Sequence, residues 1–333
     1  MVQLPSNLPP ASPESMAPGC DHSSSGVGGA EGIKYFGSHG EVAVHVGNAL
    51  GELTRVPDAS VQTCVTSPPY YGLRDYGCAG QIGLEESLDD YLKRMVAVFD
   101  LVLRKLKADG TLWINIGDVY AGGGRGPTGA NGIGNQAKRQ GFPGNPVRII
   151  PEGFKAKDLI LVGAKLMFAL QERGWYLRSE IVWDKPNGMP GSQQDRPTVS
   201  HEKVYLLSKS RRYKYDSGAV KLPLAGSGAR PNEVLGDAAV GKPLRSVWSI
   251  PVSRGGGKHF ATFPSEIVRR CVLLASSPGD VVLDPFAGTG TTGRVALALG
   301  RKTVLVELNP LYISPFLEWC RVKYGVEVER RSA

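Results

Sequence analysis

An α/β fold on a seven-stranded, mostly parallel sheet is what this sequence predicts, and three observations carry the expectation. Seven short β-type runs alternate with helix-type runs, the pattern of successive βαβ units. One of them, "DVVLDP" at 280–285, leads directly into a glycine-rich turn and a helix start. The 333 residues, 41% hydrophobic and 21% charged, suffice for one large domain with an insertion.

Taken in order, residues 1–34 ("LPSNLPPASPESMAPG", then "SSSGVGG") are rich in Pro, Ser and Gly and predict a disordered tail. The strand candidates are "EVAVHV" (41–46), "VQTCVT" (61–66), "TLWINIG" (111–117), "SEIVWD" (179–184), "KVYLLS" (203–208), "DVVLDP" and "TVLVEL" (303–308). Each is short and rich in β-branched residues. Helices are expected between them. The run 87–106 opens on Ser87 as N-cap with an Asp pair, and its apolar residues recur at helical spacing. Further helix candidates are 158–174, which closes on a glycine, 264–276 and 291–300. Two stretches break the alternation. Residues 121–146 form a long Gly-rich loop, of a length compact domains rarely carry without a use. Residues 185–255 are basic and irregular. The implied organisation is 35–184 and 256–325 as two halves of one domain, with 185–255 holding a strand and an inserted region.

The net charge is +8, and residues 185–230 alone hold nine basic against three acidic side chains, which is +6 of it. A polyanion would feel such a segment. No apolar run reaches the length of a membrane span, and the N-terminus lacks the order of a secretory signal. The five cysteines (Cys20, Cys64, Cys78, Cys271, Cys320) include no CxxC pair, so neither a zinc site nor a disulfide framework is expected. A cytoplasmic, nucleoid-associated protein without a metal fits these observations.

Two constellations carry chemistry. In "VVLDPFAGTGTTG" (281–293) a strand ends in Asp284, and Gly288 and Gly290 let backbone approach a ligand closely. The helix that follows, beginning at Thr291, offers free N–H groups. Glu307, at the tip of the next strand, is placed to accept hydrogen bonds from ribose hydroxyls. The Gly-x-Gly-x-x-Gly string alone also fits a dinucleotide-dependent oxidoreductase. Asp284, however, stands where a pyrophosphate would lie, which favours a ligand with a cationic amino-acid end, such as S-adenosylmethionine. The second constellation is "TCVTSPPYYGLRDYG" (63–77). An exocyclic base amine attacks a methyl sulfonium poorly, because its lone pair is delocalised into the ring. The Ser67 hydroxyl and the Pro68 carbonyl are acceptors that can draw it towards tetrahedral geometry. Pro69 stiffens that corner, and Tyr70 can stack on a base turned out of the duplex.

These motifs resemble those of the amino-methylating DNA methyltransferases of the β class, over about residues 40–318. Asp284–Gly290, with Phe286, resembles the family's cofactor motif, and Thr66–Tyr70 its catalytic motif, in the circularly permuted order. The resemblance implies an S-adenosylmethionine-dependent methyltransferase fold with a target-recognition insertion after 185. It also implies that "HFATFP", with His259 and Phe260, packs over the methionine end of the cofactor, and that Asn48 contacts the adenine. Ser before Pro-Pro-Tyr implies cytosine N4 as the target in site-specific double-stranded DNA, with adenine N6 as the alternative. Such enzymes are typical partners of a cognate restriction endonuclease. Arg196, Lys203, Arg211, Arg212 and Lys214 are the expected phosphate contacts, and the 121–146 loop is expected to order on DNA. C5 methylation is set aside because no Pro-Cys dipeptide supplies its thiolate. One geometric condition follows: the strands ending at Pro68 and Asp284 must be neighbours.

Overall fold

The computed structural model describes residues 32–37, 40–73, 75–122, 150–188, 191, 193–222, 241–252, 264–324 and 329–330. Its strands are β1 (Gly32–Gly37), β2 (Gly40–Val46), β3 (Val61–Thr66), β4 (Leu106–Ile116), β5 (Tyr176–Asp184), β6 (His201–Ser208), β7 (Lys221–Leu222), β8 (Lys242–Pro243), β9 (Val247–Ser249), β10 (Val281–Asp284), β11 (Lys302–Glu307) and β12 (Glu329–Arg330). The principal sheet runs β12-β1-β2-β11-β10-β3-β4-β6-β5-β9, and β7 and β8 pair apart from it. The seven expected strands are its contiguous inner seven. From β2 to β4 every pairing is parallel. β6 then runs antiparallel between β4 and β5. The sheet is wider than expected by β1 and β12 at one edge and β9 at the other. β9 and β12 have too few residues for a period-2 signal, whereas the six-residue β1 begins within the stretch 1–34 expected to be a disordered tail.

The sheet is covered on both faces because side chains alternate along each strand. Cys64, Leu112 and Ile114 point into one core with helix α2 (Leu88–Lys105) and helix α3 (Val162–Glu172). Val65, Trp113 and Val282 point into a second core under helix α4 (Ser265–Ala275) and helix α5 (Thr291–Ala298). In α2 the buried Leu88, Tyr91, Met95, Val98, Phe99 and Val102 form one stripe, and the Ser87 hydroxyl accepts from the Asp90 N–H at 3.0 Å. Two helices lie outside the expected set. Helix α1 (Ala49–Glu52) is a single turn capped by Asn48. Helix α6 (Pro310–Tyr324) contains Pro315, which disguised it, but Ile313, Phe316 and Cys320 still make a buried stripe.

Helix α6 sets the geometry of the glycine-rich turn. Gly290 caps α5 at φ +76°, and a Cβ there would lie 2.5 Å from Cγ of Phe316. The ring cannot swing away, because the clash falls at its root. Gly290→Ala should therefore lower the unfolding free energy by about 1–3 kcal/mol from overpacking, with a further cost from left-handed strain. A denaturation midpoint unchanged at constant m-value would contradict this packing account.

Candidate active site

The parallel strands all present their carboxyl ends at one edge of the sheet, and both chemical motifs emerge there. β3 pairs with β10 through Val282↔Thr63 and Leu283↔Cys64, so the Ser67–Tyr70 corner and the Asp284–Gly290 turn are neighbours. A buried hydrogen-bond cluster locks them. Thr66 donates to Asp284 Oδ1 at 2.7 Å, Thr292 donates to Asp284 Oδ2 at 2.7 Å, and the Phe286 N–H donates to Oδ1 at 3.1 Å. Asp284 is 1% exposed, so it is not the free carboxylate that the sequence reading aimed at a cationic ligand. Each oxygen instead holds a threonine hydroxyl, which joins β3, β10 and α5. Burial pushes its carboxyl up to about 6 against the opposing pull of these donors.

Other residues expected to bind the cofactor lie beside it. Glu307 stands at the tip of β11, its carboxylate accepting from the Gly288 N–H at 2.7 Å and the Asn309 N–H at 2.9 Å. Burial raises its carboxyl above the ordinary range although these N–H groups oppose the shift. Gly288 has φ +52° and, among the described residues, nothing within 4 Å of where a Cβ would sit, so one side of this turn is open to them. That openness distinguishes Gly288 from Gly290, whose missing side chain serves Phe316 rather than a ligand. The Phe286 ring is half-buried against the α2 core, and Thr291 opens α5. Asn48 adjoins Glu307 through the Gly47 N–H, which donates to the Glu307 carbonyl at 2.9 Å. Its amide oxygen accepts from the Leu50 N–H and its amide nitrogen donates to the Gly80 carbonyl, both at 2.9 Å. Asn48 thus caps α1, a role the sequence reading did not assign. His259 and Phe260 lie outside the described residues, as does the Gly-rich loop beyond Gly122.

At the facing corner Pro68 is buried, and the Tyr91 hydroxyl donates to the Pro69 carbonyl at 2.8 Å. Among the described residues no hydrogen bond ends on the Pro68 carbonyl, which leaves it as an acceptor. Tyr70 is half-buried, and its hydroxyl donates to Glu202 at 2.9 Å. Glu202 also accepts from Asn115 at 2.9 Å and pairs with Lys185, whose ammonium lies 4.5 Å from the centre of the Trp183 ring. Gly117 makes room for the ring, since a Cβ there would lie 2.9 Å from Tyr70 Cε2. Glu202, Asn115, Lys185 and Gly117 escaped the sequence reading. "HEKVY" looks like the solvated start of a strand, and only the antiparallel return of β6 reveals where Glu202 points.

The expected phosphate contacts divide. Arg196 belongs to the 185–200 segment that joins β5 to β6 at the catalytic edge, and its guanidinium stacks 3.7 Å from the centre of the Tyr120 ring. Lys203 lies within β6 and is paired with Glu180. Arg211, Arg212 and Lys214 are corrected: β6 runs away from the site, pairing Lys203 with Ile116 and Ser208 with Thr111. At about 3.3 Å per residue its length carries them some 20 Å to the opposite edge. There Lys214 is bound to Asp280 at 2.8 Å.

The buried carboxylate makes stability depend on pH in a direction that can be measured. Asp284 takes its proton near 6 when folded and near the ordinary 3.8 when unfolded. Between those values the native state binds the proton first, so this residue's contribution to stability rises as pH falls from about 7 to about 4, by on the order of 3 kcal/mol. Asp284→Asn should flatten the curve of unfolding free energy over that window. An unchanged slope would show that Asp284 does not titrate there.

With the geometry in hand, the chain matches the model of the N6/N4 DNA methylase family over residues 61–318. It is 47% identical over 273 residues to the type II methyltransferase M.Cfr9I of Citrobacter freundii, covering 80% of this chain and 83% of that one. It is 48% identical over 259 residues to M.SmaI of Serratia marcescens, covering 77% and 83%. Its fold is similar to that of PvuII DNA methyltransferase (cytosine-N4-specific), with a TM-score of 0.58 at 20% identity over 82% of this chain and 84% of that one. It is also similar to a putative DNA modification methylase of Thermus thermophilus complexed with S-adenosyl-L-methionine, with a TM-score of 0.56 at 26% identity over 86% and 95%. A match that begins with β3 and runs past the glycine-rich turn leaves one conclusion: the chain belongs to the N6/N4 DNA methylase family.

Proposed function

We propose that this type II DNA methyltransferase transfers a methyl group from S-adenosyl-L-methionine to the exocyclic N4 amine of cytosine, at a specific site in double-stranded DNA. The modification would protect that site from a cognate restriction endonuclease. The observation that carries this reading is the placement of Ser67 and the unengaged Pro68 carbonyl one strand away from the glycine-rich turn. The residues present suit the cofactor: among the described residues nothing crowds Gly288, and the Glu307 carboxylate is set beside it by the Gly288 N–H. When bound, the cofactor supplies an electrophilic methyl group on sulfur.

The rest of the work falls to the protein. Ser67 and the Pro68 carbonyl accept the two N–H bonds of the target amine and so turn its lone pair towards the methyl group. Tyr70 offers a ring face to the extruded base. The Thr66–Asp284 tie keeps donor and acceptor aligned, which is where most of the rate enhancement arises in an in-line transfer. The PvuII enzyme of similar fold is cytosine-N4-specific, in keeping with Ser67 at the first motif position here.

Expression in a host without DNA methylation, followed by sequencing that separates N4-methylcytosine from N6-methyladenine, tests the reading. We expect modified cytosine within one recurrent motif, strongly reduced but still detectable in Ser67→Ala and Pro68→Ala. Modified adenine would overturn the cytosine assignment, and unmodified DNA would overturn the reading as a whole. Gly288→Val should abolish calorimetric binding of the cofactor, and unaltered binding would count against the cofactor site. Arg211→Ala with Arg212→Ala should leave DNA affinity within about twofold, whereas phosphate contacts would each weaken binding and reduce its salt dependence.

A further inference from the structure

The carboxylate of Glu202 is the hub of the catalytic corner, and its chemistry fixes the direction of a short hydrogen-bond chain. Ser67 Oγ lies 3.5 Å from the Tyr70 hydroxyl, and that hydroxyl lies 2.9 Å from Glu202 Oε2. Glu202 is held from two other sides. Asn115, buried in β4, donates to Oε2 at 2.9 Å, and its amide is further fixed by the Lys203 carbonyl at 3.2 Å. Lys185 pairs with Oε1. The Tyr70 ring is seated against Gly117, where a Cβ would lie 2.9 Å from its Cε2.

A carboxylate paired with an ammonium only accepts hydrogen bonds. Tyr70 must therefore donate to Glu202. Burial and the adjacent carboxylate hold the phenol well above its ordinary range, so it remains a donor. Its oxygen lone pairs are then what faces Ser67, and the Ser67 hydroxyl closes the contact by donating to Tyr70. That turns the Ser67 lone pairs outward. An amine N–H needs an acceptor, and a serine whose proton pointed outward would oppose it instead.

We infer that Glu202 is a positioning residue which, through Tyr70, sets the polarity of Ser67 so that it presents an acceptor to the target amine. This inference rests on the reading of Ser67 given above and adds a residue to it. A neutral amide at 202 could donate to the phenol oxygen, letting Tyr70 donate to Ser67 and reversing the chain.

The test is a set of mutant cycles read as single-turnover methyl transfer from labelled cofactor, with cofactor and DNA affinities measured separately. Glu202→Gln should slow transfer at least tenfold with cofactor affinity within twofold. In Tyr70→Phe, which keeps the ring but removes the relay, adding Glu202→Gln should change the rate less than twofold, and likewise in Ser67→Ala. If Glu202→Gln slows transfer by the same factor in all three backgrounds, or in none, the inference is overturned. Should Glu202→Gln fail to fold, Tyr70→Phe alone decides: a tenfold loss with the ring intact supports the chain, and a wild-type rate overturns it. Full activity in Ser67→Ala would sink the underlying reading of the site, a different outcome from a cycle that is merely additive.

Discussion

The rest of the structure depends on one buried contact, the hydrogen bond from Thr66 to Asp284. An ionised carboxylate out of water costs several kcal/mol unless its oxygens are occupied, and here both are. What the cost obtains is register. Parallel strands have no hairpin turn to fix how they align, and a slip by one residue would shift the catalytic corner by about 3.3 Å and turn every side chain to the other face. A methyl transfer tolerates misplacement of roughly 0.5 Å. Hydrophobic alternation opposes the slip in general, since Cys64 and Val65 belong to different cores. The tie from Thr66 adds a specific partner that a slipped sheet could not offer, and Thr292 extends the same lock to the helix under the glycine-rich turn.

The glycines of that turn show how one motif string combines unrelated causes. Gly290 and Gly293 lack side chains because Phe316 lies against them, with Leu305 also against Gly293. Both serve the packing of α6, an element not recognised in the sequence. Gly288 has no such neighbour among the described residues, and its N–H is bound to the Glu307 carboxylate instead. The spacing Gly-x-Gly-x-x-Gly is therefore a joint signature of a close helix–strand approach and a turn bound to a carboxylate. Taken by itself it cannot say which glycine does which.

The inner sheet was legible because its strands are short and β-rich and most are separated by periodic helices, although nothing in that pattern marked β6 as antiparallel between β4 and β5. The adjacency of Ser67 and Asp284 followed from where motifs sit at strand ends. Other features depend on contacts distant in sequence. Asn48 reads in the sequence only as a ligand contact, and its capping role rests on the Leu50 N–H and on Gly80, 32 residues away. Glu202 reads as a surface charge until the antiparallel return of β6 brings it to Tyr70, 132 residues earlier. Helix α6 was hidden by Pro315, whose penalty is offset by the burial of Phe316.

Charge is where linear and spatial reading part most clearly. The basic segment looked like one positive patch, but an eight-residue strand runs through it and separates its two ends by the height of the sheet. Three of its lysines are also paired with acids brought in by the fold: Lys185 with Glu202, Lys203 with Glu180, and Lys214 with Asp280. Asp280 receives Lys107 as well. Although burial pushes its carboxyl up, these ammonium groups outweigh it and hold the value near 2. A lysine neutralised in this way contributes little to the field that steers a polyanion. Among the described residues, positive character at the edge that holds the Ser67 corner comes from the segment between β5 and β6. There Arg196 is laid flat on Tyr120, with its charge presented at the same edge as the Ser67 corner. Net charge counted along a chain thus indicates a polyanionic partner, but only topology says which end of the sheet the partner approaches.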